Sequence, residues 1–216
     1  MTPPEADCAP RPKRVVFQGM FVPRQCAENG CNRPALSGSS RCIVHTPAAA
    51  QHVAGLLRRK DGEIILRDLD LPGIRIADAD LSGADVSGCR LTAATFVRVK
   101  LSSAHIHLSF LDRATFEDCD FSEAVMQNSV FAGSRLRGCS FQDSEIVQVN
   151  FLGIQGERIR FDHSNLYGSR FIGAVLESVS MRDCNLTRAF FDTPHRDMVD
   201  FHSSNTNEAV FQEQPG

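Results

Sequence analysis

From Leu66 to Phe211 an apolar residue returns at every fifth position. Of the thirty positions on this ladder, only Gly156, Arg196 and Thr206 break it. Two residues ahead of each rung runs a second series of mostly small side chains, among them Ala79, Ala84, Cys89, Ala94, Ala104 and Ser109. A helix repeats every ~3.6 residues and a strand every ~2, so neither keeps a period of five on one buried side over such a length. An internal repeat is the economical reading.

Units such as Ala79-Asp80-Leu81-Ser82-Gly83 and Ala84-Asp85-Val86-Ser87-Gly88 resemble the A(D/N)LXX unit of the pentapeptide-repeat family. The resemblance covers residues 63–213, about two thirds of the chain. It implies an all-β fold, a right-handed four-sided β-helix in which four pentapeptides make one square coil. Thirty rungs then give about seven and a half coils, a rod of roughly 36 Å at ~4.8 Å per coil. In such a rod residues twenty apart stack, and each side can be read separately.

One side has Leu81, Leu101, Phe121, Phe141, Phe161, Met181 and Phe201 as rungs; the opposite side carries Phe131, Phe151, Phe171, Phe191 and Phe211 in its later coils. Two facing phenylalanine stacks are expected as core. The outward residues of the Phe121 side include Asp80, Asp120, Glu123, Asp143, Asp162, Asp183 and Asp200 against Lys100, Arg160 and Arg182, an acidic wall of net −4. On the Phe131 side the outward positions include Phe110, Val130, Leu152, Ile172, Phe190 and Val210. A continuous apolar stripe of this kind marks an interface, for a protein partner or a homodimer, or else a face covered by the N-terminal segment. The Ile76 side holds both Gly156 and Arg196. The pattern predicts local bulges at Gln155–Arg158 and Pro194–Asp197, read either as contact sites or as tolerated defects.

Ahead of the repeat, residues 1–14 are Pro-rich and polar and read as a disordered lead-in. Val15–Phe17 and Met20–Val22 are short apolar runs. Within 15–46, Cys26, Cys31, Cys42 and His45 are spaced C-x4-C-x10-C-x2-H. Three thiolates and an imidazole are a tetrahedral zinc set, so a structural Zn2+ is expected there, with four protein ligands and no open position. The alternative is four unpaired residues in a loop, with Cys8 a spectator. Residues 47–62 are expected to form a capping helix, with Thr46 as N-cap, Pro47 at N1 and Val53, Leu56 and Leu57 on one face covering the first coil at Ile64–Leu66. Cys89, Cys119, Cys139 and Cys184 all fall at the small inward position, as reduced core thiols.

The near-neutral charge of −3 hides a division. Residues 1–60 carry nine Lys and Arg against three Asp and Glu, and residues 61–216 carry fourteen against twenty-three, so a +6 head precedes a −9 body. The N-terminus lacks an apolar leader and no run approaches a membrane span, so a cytoplasmic protein without membrane contact is expected. His105 and His107 flank Ile106 without an obvious third ligand. No Ser-His-Asp order, phosphate loop or HExxH motif occurs, and a convex rod offers no deep pocket, so an enzyme is not expected. The family resemblance implies a binding role: its best-studied members are acidic rods that act as DNA mimics, binding DNA gyrase and protecting it from quinolones and other poisons. A general interaction scaffold is the first alternative. Nucleic-acid binding by the basic head, through Lys13, Arg14, Arg24, Arg33, Arg41, Arg58 and Arg59, is the second.

Overall fold

The computed structural model describes residues 24–57, 64–192 and 198–211. The lead-in 1–14, the runs 15–17 and 20–22, and Arg196 with its surroundings lie outside the described residues. Over residues 64–192 and 198–211 the chain is a parallel-strand β-solenoid of about seven turns. Strands of two or three residues pair with partners twenty positions on, as in Ile76↔Phe96↔Phe116 and Ile106↔Met126↔Ile146. The longest sheet, on the Ile76 side, stacks six strands from Arg75–Ala77 to Val175–Glu177.

The period of five comes from a corner. Every described position two beyond a rung, Met198 excepted, has a left-handed backbone with φ between 50° and 69°. At about half the corners this residue is the third of a β-turn, as at Ser103, where the Ala104 amide donates to the Leu101 carbonyl at 3.1 Å. Five residues thus make one straight side and one bend. The rung points inward, its two neighbours point out, and the small residue two before the next rung completes the side.

The rungs fill the rod. Phe121, Phe141 and Phe161 stack with centroids 4.6 and 4.9 Å apart, and Phe151, Phe171 and Phe191 at 4.9 Å on the opposite side. Across the interior the two columns meet edge to face, with Phe141 6.5 Å from Phe151 and Phe161 5.9 Å from Phe171. Rings therefore stack along the rod at the coil spacing and cross it in T-shaped pairs, both favoured by the ring quadrupole.

The small inward positions do more than leave room. Ser134 Oγ donates to the Leu111 carbonyl at 2.7 Å and accepts the Ala114 amide at 3.1 Å; Ser164 and Ser169 repeat the pattern further along the rod. Each buried hydroxyl thus satisfies backbone groups of the coil before it. Cys119, Cys139 and Cys184 take the same place, their Sγ lying 3.0–3.7 Å from the equivalent carbonyls. All seven described cysteines are free thiols. Burial pushes the Cys89 and Cys184 thiols up to about 11.

Three expectations are corrected. Gly156 does not bulge: Gln155–Glu157 is a regular strand, paired in register as Leu136↔Gly156↔Leu176. The missing rung side chain is replaced by Ile159, a large residue at a normally small position, whose Cδ1 stands 2.7 Å from where a Gly156 Cβ would be. The helix spans Ala49–Leu56, beginning after a left-handed Ala48 that makes no side-chain cap. Thr46 lies too far ahead of Ala49 to cap it, and its hydroxyl turns back toward the carbonyls of Arg41 and Cys42, at 3.0 and 2.9 Å. The outward apolar positions do not form one unbroken stripe. Phe110 and Val130 share a column with Asn150, Arg170, Phe190 and Val210, while Leu152 and Ile172 occupy the column on the far side of the rungs.

The helix does sit over the first coil. Val53 is buried in the same core as Ile64, Leu66 and Leu71, and Leu56 and Leu57 pack against it. No helix among the described residues is long and apolar enough to cross a membrane.

Candidate functional site

Two surfaces of this architecture gather chemistry: the Cys/His bead at the head, and the outward walls of the rod.

In the bead, a short antiparallel bridge between Gln25 and Pro34 brings Cys26 beside the loop that carries Cys31. Gly30, at φ 76°, turns the chain tightly enough for the Cys31 amide to donate back to the Glu28 carbonyl at 3.1 Å. A second turn, with the amides of His45 and Thr46 both on the Cys42 carbonyl, presents Cys42 and His45 to the same point. The four ligand atoms lie within 4.8 Å of one another. Cys31 Sγ is 3.9 Å from Cys42 Sγ, and His45 Nδ1 is 3.4 Å from Cys26 Sγ and 3.6 Å from Cys42 Sγ.

A tetrahedral zinc with Zn–S of ~2.3 Å and Zn–N of ~2.0 Å requires S···S edges of about 3.8 Å and S···N edges of about 3.6 Å. The three spacings for Cys31–Cys42, Cys26–His45 and Cys42–His45 are close to those edges, and the remaining pairs lie within 4.8 Å. Burial pushes the Cys26 thiol up, but the Cys42 and Glu28 amides and the neighbouring thiols outweigh it, so Cys26 lies below the ordinary thiol range. An amide donating to sulfur favours the thiolate, the form that binds metal. At Cys31 the Arg33 amide acts in the same sense, but burial and the Cys26 and Cys42 thiols outweigh it and push that thiol up. The Cys3His set is compatible with zinc in both donor type and spacing.

The structure places all seven acidic-wall residues on the Phe121 side, partly or fully exposed, and shows that they are not equivalent. Asp200 is paired with Arg182, and the His202 amide together with that guanidinium holds its carboxyl below the usual carboxylate range. Asp162 accepts from the Ser180 hydroxyl and the Arg182 amide, and Asp183 faces His163 at 3.9 Å. Asp80 accepts the Ser82 amide at 3.0 Å. Asp120 takes the Ser122 amide and hydroxyl, at 3.0 and 2.7 Å, and Glu123 takes the Ser103 hydroxyl at 3.2 Å. Asp120, Glu123 and Asp143 make no ion pair with a described residue. The wall's net acidity is thus concentrated in its middle coils.

On the Phe131 side, Phe110, Leu152, Phe190 and Val210 are exposed and Val130 and Ile172 half-buried. The Arg170 guanidinium lies 5.7 Å over the Phe190 ring and breaks the apolar run. Of the basic head, Arg24, Arg33 and Arg41 are exposed, with Arg41 3.7 Å from Glu28, while Lys13, Arg14, Arg58 and Arg59 lie outside the described residues. His105 and His107 are both exposed. Sequence reasoning missed Ser37, whose amide and hydroxyl meet the backbone of Asp70; a lone serine in a loop carries no periodic signal.

Comparison with known proteins agrees with this architecture. A family model described as pentapeptide repeats (9 copies) matches residues 111–154, and a second, described as pentapeptide repeats (8 copies), matches 74–112 and 157–192. No curated protein is similar in sequence. Among solved structures, HetL, a pentapeptide repeat protein involved in heterocyst differentiation regulation from the cyanobacterium Nostoc sp. strain PCC 7120, is 16% identical, with 74% of this chain and 92% of that chain covered and a TM-score of 0.30. Full-length QnrB1, a plasmid-mediated fluoroquinolone resistance protein, is 15% identical over 67% of this chain and 93% of its own, with a TM-score of 0.27. A pentapeptide repeat protein of the Arabidopsis thaliana thylakoid lumen is 23% identical over 54% and 71%, with a TM-score of 0.19. The two family models together span more than half of the 216 residues and fall on the stacked five-residue coils, and the chain belongs to the pentapeptide-repeat family.

Proposed function

We propose that this chain is a non-enzymatic, cytoplasmic protein-binding solenoid whose acidic wall docks on the basic DNA-binding surface of a type II topoisomerase, DNA gyrase being the most specific partner, and shields it from poisons. The observation that carries this reading is the group Asp120, Glu123 and Asp143, carboxylates held on one side of a rod and free of ion pairs among the described residues. Stacked coils set such charges at a pitch of ~4.8 Å, and a rigid rod loses little freedom on docking. Negative charge fixed in this way steers a rod toward a surface built to receive DNA phosphates. The Cys3His bead, in the same reading, holds a structural Zn2+ through Cys26, Cys31, Cys42 and His45. With four protein ligands the metal would fix the loop and leave no position for a reacting molecule.

The test is DNA supercoiling by purified gyrase with and without the protein, in the presence and absence of a cleavage-stabilising poison. The expected result is inhibition of supercoiling or rescue from the poison, weakened when Asp120, Glu123 and Asp143 are neutralised together. No effect at micromolar protein would defeat the topoisomerase reading. It would favour a scaffold docking through exposed Phe190, Val210 and Leu152 on the Phe131 side.

A further inference from the structure

A β-solenoid has two ends, and at each the backbone groups that would bond the next coil need partners. Within the rod, the residue before each rung turns both backbone groups toward the preceding coil. The Arg90 amide donates to Leu69 and the Arg90 carbonyl accepts from Leu71, each at 2.8 Å; Asp85 bonds Ile64 and Leu66 in the same way at 2.9 and 2.7 Å. Asp70 stands at this position in the first coil. Its carbonyl accepts the Ser37 amide at 2.9 Å, and its amide donates to Ser37 Oγ at 2.6 Å. One residue of the bead therefore supplies both bonds that a preceding coil would supply.

The neighbours of Ser37 extend the substitution from backbone to core. Leu36, 2% exposed, enters the same apolar cluster as Ile64, Leu66 and Leu71, as does Val53 of the helix. His52 Nε2 bonds the Ser37 carbonyl at 2.7 Å, tying the loop to that helix. The loop itself is the stretch between Cys31 and Cys42, closed by the Leu36 amide on the Arg41 carbonyl at 3.0 Å. Of the described bead residues only Cys26, Ala35, Leu36, Cys42 and Val53 are buried apolar groups, and two of these five are proposed metal ligands. So small a core does not fix a loop by itself; closing Cys31 to Cys42 through a metal does.

We infer that the bead serves as the coil before the first coil and that Zn2+ is its lock: metal held by Cys26, Cys31, Cys42 and His45 keeps Ser37 and Leu36 seated, and metal loss opens this end of the rod. The inference rests on the zinc reading above. Opening frees the backbone of Asp70 and uncovers Leu66 and Leu71, so the metal or thiol state of the bead decides whether the rod presents a closed or an open edge.

The test is bound zinc per chain together with backbone amide exchange of the full-length protein, before and after treatment with a chelator. One zinc per chain is expected. Its removal should speed exchange in the segment 64–71 by about tenfold or more, the equivalent of one lost net hydrogen bond, and leave residues 131–160 unchanged. Ser37→Ala, which keeps all four ligands, should retain the zinc and speed exchange at the Asp70 amide alone. Zinc that binds and leaves without altering 64–71 would overturn the lock while sparing the metal site. A chain that binds no zinc would overturn both, and equal acceleration in every coil would overturn a lock confined to the end.

Discussion

At the scale of single residues, the rod tolerates exceptions by trading volume between neighbouring positions. Gly156 occupies a rung and Ile159 a normally small position, both fully inside the rod, and the two exchange roles without disturbing strand pairing. Ile154 and Val149, also buried at small positions, add volume in the same region. A Cβ at Gly156 would fall 2.7 Å from Ile159 Cδ1 and 3.0 Å from Leu176 Cδ2. Gly156→Leu alone should therefore destabilise by about 1–3 kcal/mol through overpacking, and Ile159→Ala alone by roughly 2–5 kcal/mol through a cavity. Together they restore the usual large-then-small order. The double variant should lie closer to the parent than the sum of the singles, by a coupling of about 1 kcal/mol or more in denaturant unfolding. Strict additivity would mean that the two sites do not share their space. The ladder revealed Gly156 as an exception; it did not reveal Ile159 as the answer, because compensation depends on which side chains meet across the coil.

At the scale of the element, the repeat was legible and its corners were not. Leu66 to Phe211 announced the coil, the side on which every rung lies and both phenylalanine columns. The left-handed corner two residues past each rung carries Gly at eight described positions, Gly83 and Gly133 among them, yet Glu at Glu123, Arg at Arg98 and Asp at Asp143, so glycine marks some corners and leaves most unmarked. Tertiary pairing imposes the conformation on residues that do not prefer it. The cap was half legible for a related reason. Val53 and Leu57 marked the covering face, but Thr46 lies too far ahead of the helix and turns back to the Arg41 and Cys42 carbonyls, contacts that no helix-start pattern records.

The corner also supplies a clean handle on the acidic wall. Asp143 sits at φ 57°, where Gly relieves a conformational cost of ~1–2 kcal/mol against a chain-entropy cost of ~0.5–1 kcal/mol. Asp143→Gly should thus remove a wall charge while changing stability by less than about 1 kcal/mol. Gly83→Val, which forces a β-branched residue to φ 69°, should destabilise by more than about 1 kcal/mol though no atom blocks its Cβ. Thermal unfolding of the two variants reads the contrast directly, and equal losses would show that backbone conformation is not the controlling term.

At the scale of the whole molecule, the rod stores its thiols in a form that ties stability to alkaline rather than neutral conditions. Cys89 and Cys184 are buried near opposite ends of the rod, and burial pushes both up to about 11. In the unfolded chain a cysteine ionises near ~8.5. The folded state therefore holds these protons more tightly, so the stabilisation is fully present below the unfolded value and is lost as pH rises toward 11. The exposed pairs act at the other end of the scale. Arg98 beside Asp78 and the His202 amide with Arg182 beside Asp200 lower those carboxyls, so their contribution holds above about pH 4 and falls away on acidification. Being exposed and screened, they matter less than the thiols. Denaturant midpoints should stay level from about pH 6 to 8 and then fall between about 9 and 11. In a Cys89→Ser, Cys184→Ser chain that alkaline fall should shrink, since a hydroxyl at the same position can still meet the Leu66 and Phe161 carbonyls as Ser109 meets Val86, and does not ionise in this range. An alkaline fall of unchanged size in the double variant would place its origin in groups other than Cys89 and Cys184, the buried Cys119 and Cys139 pair included.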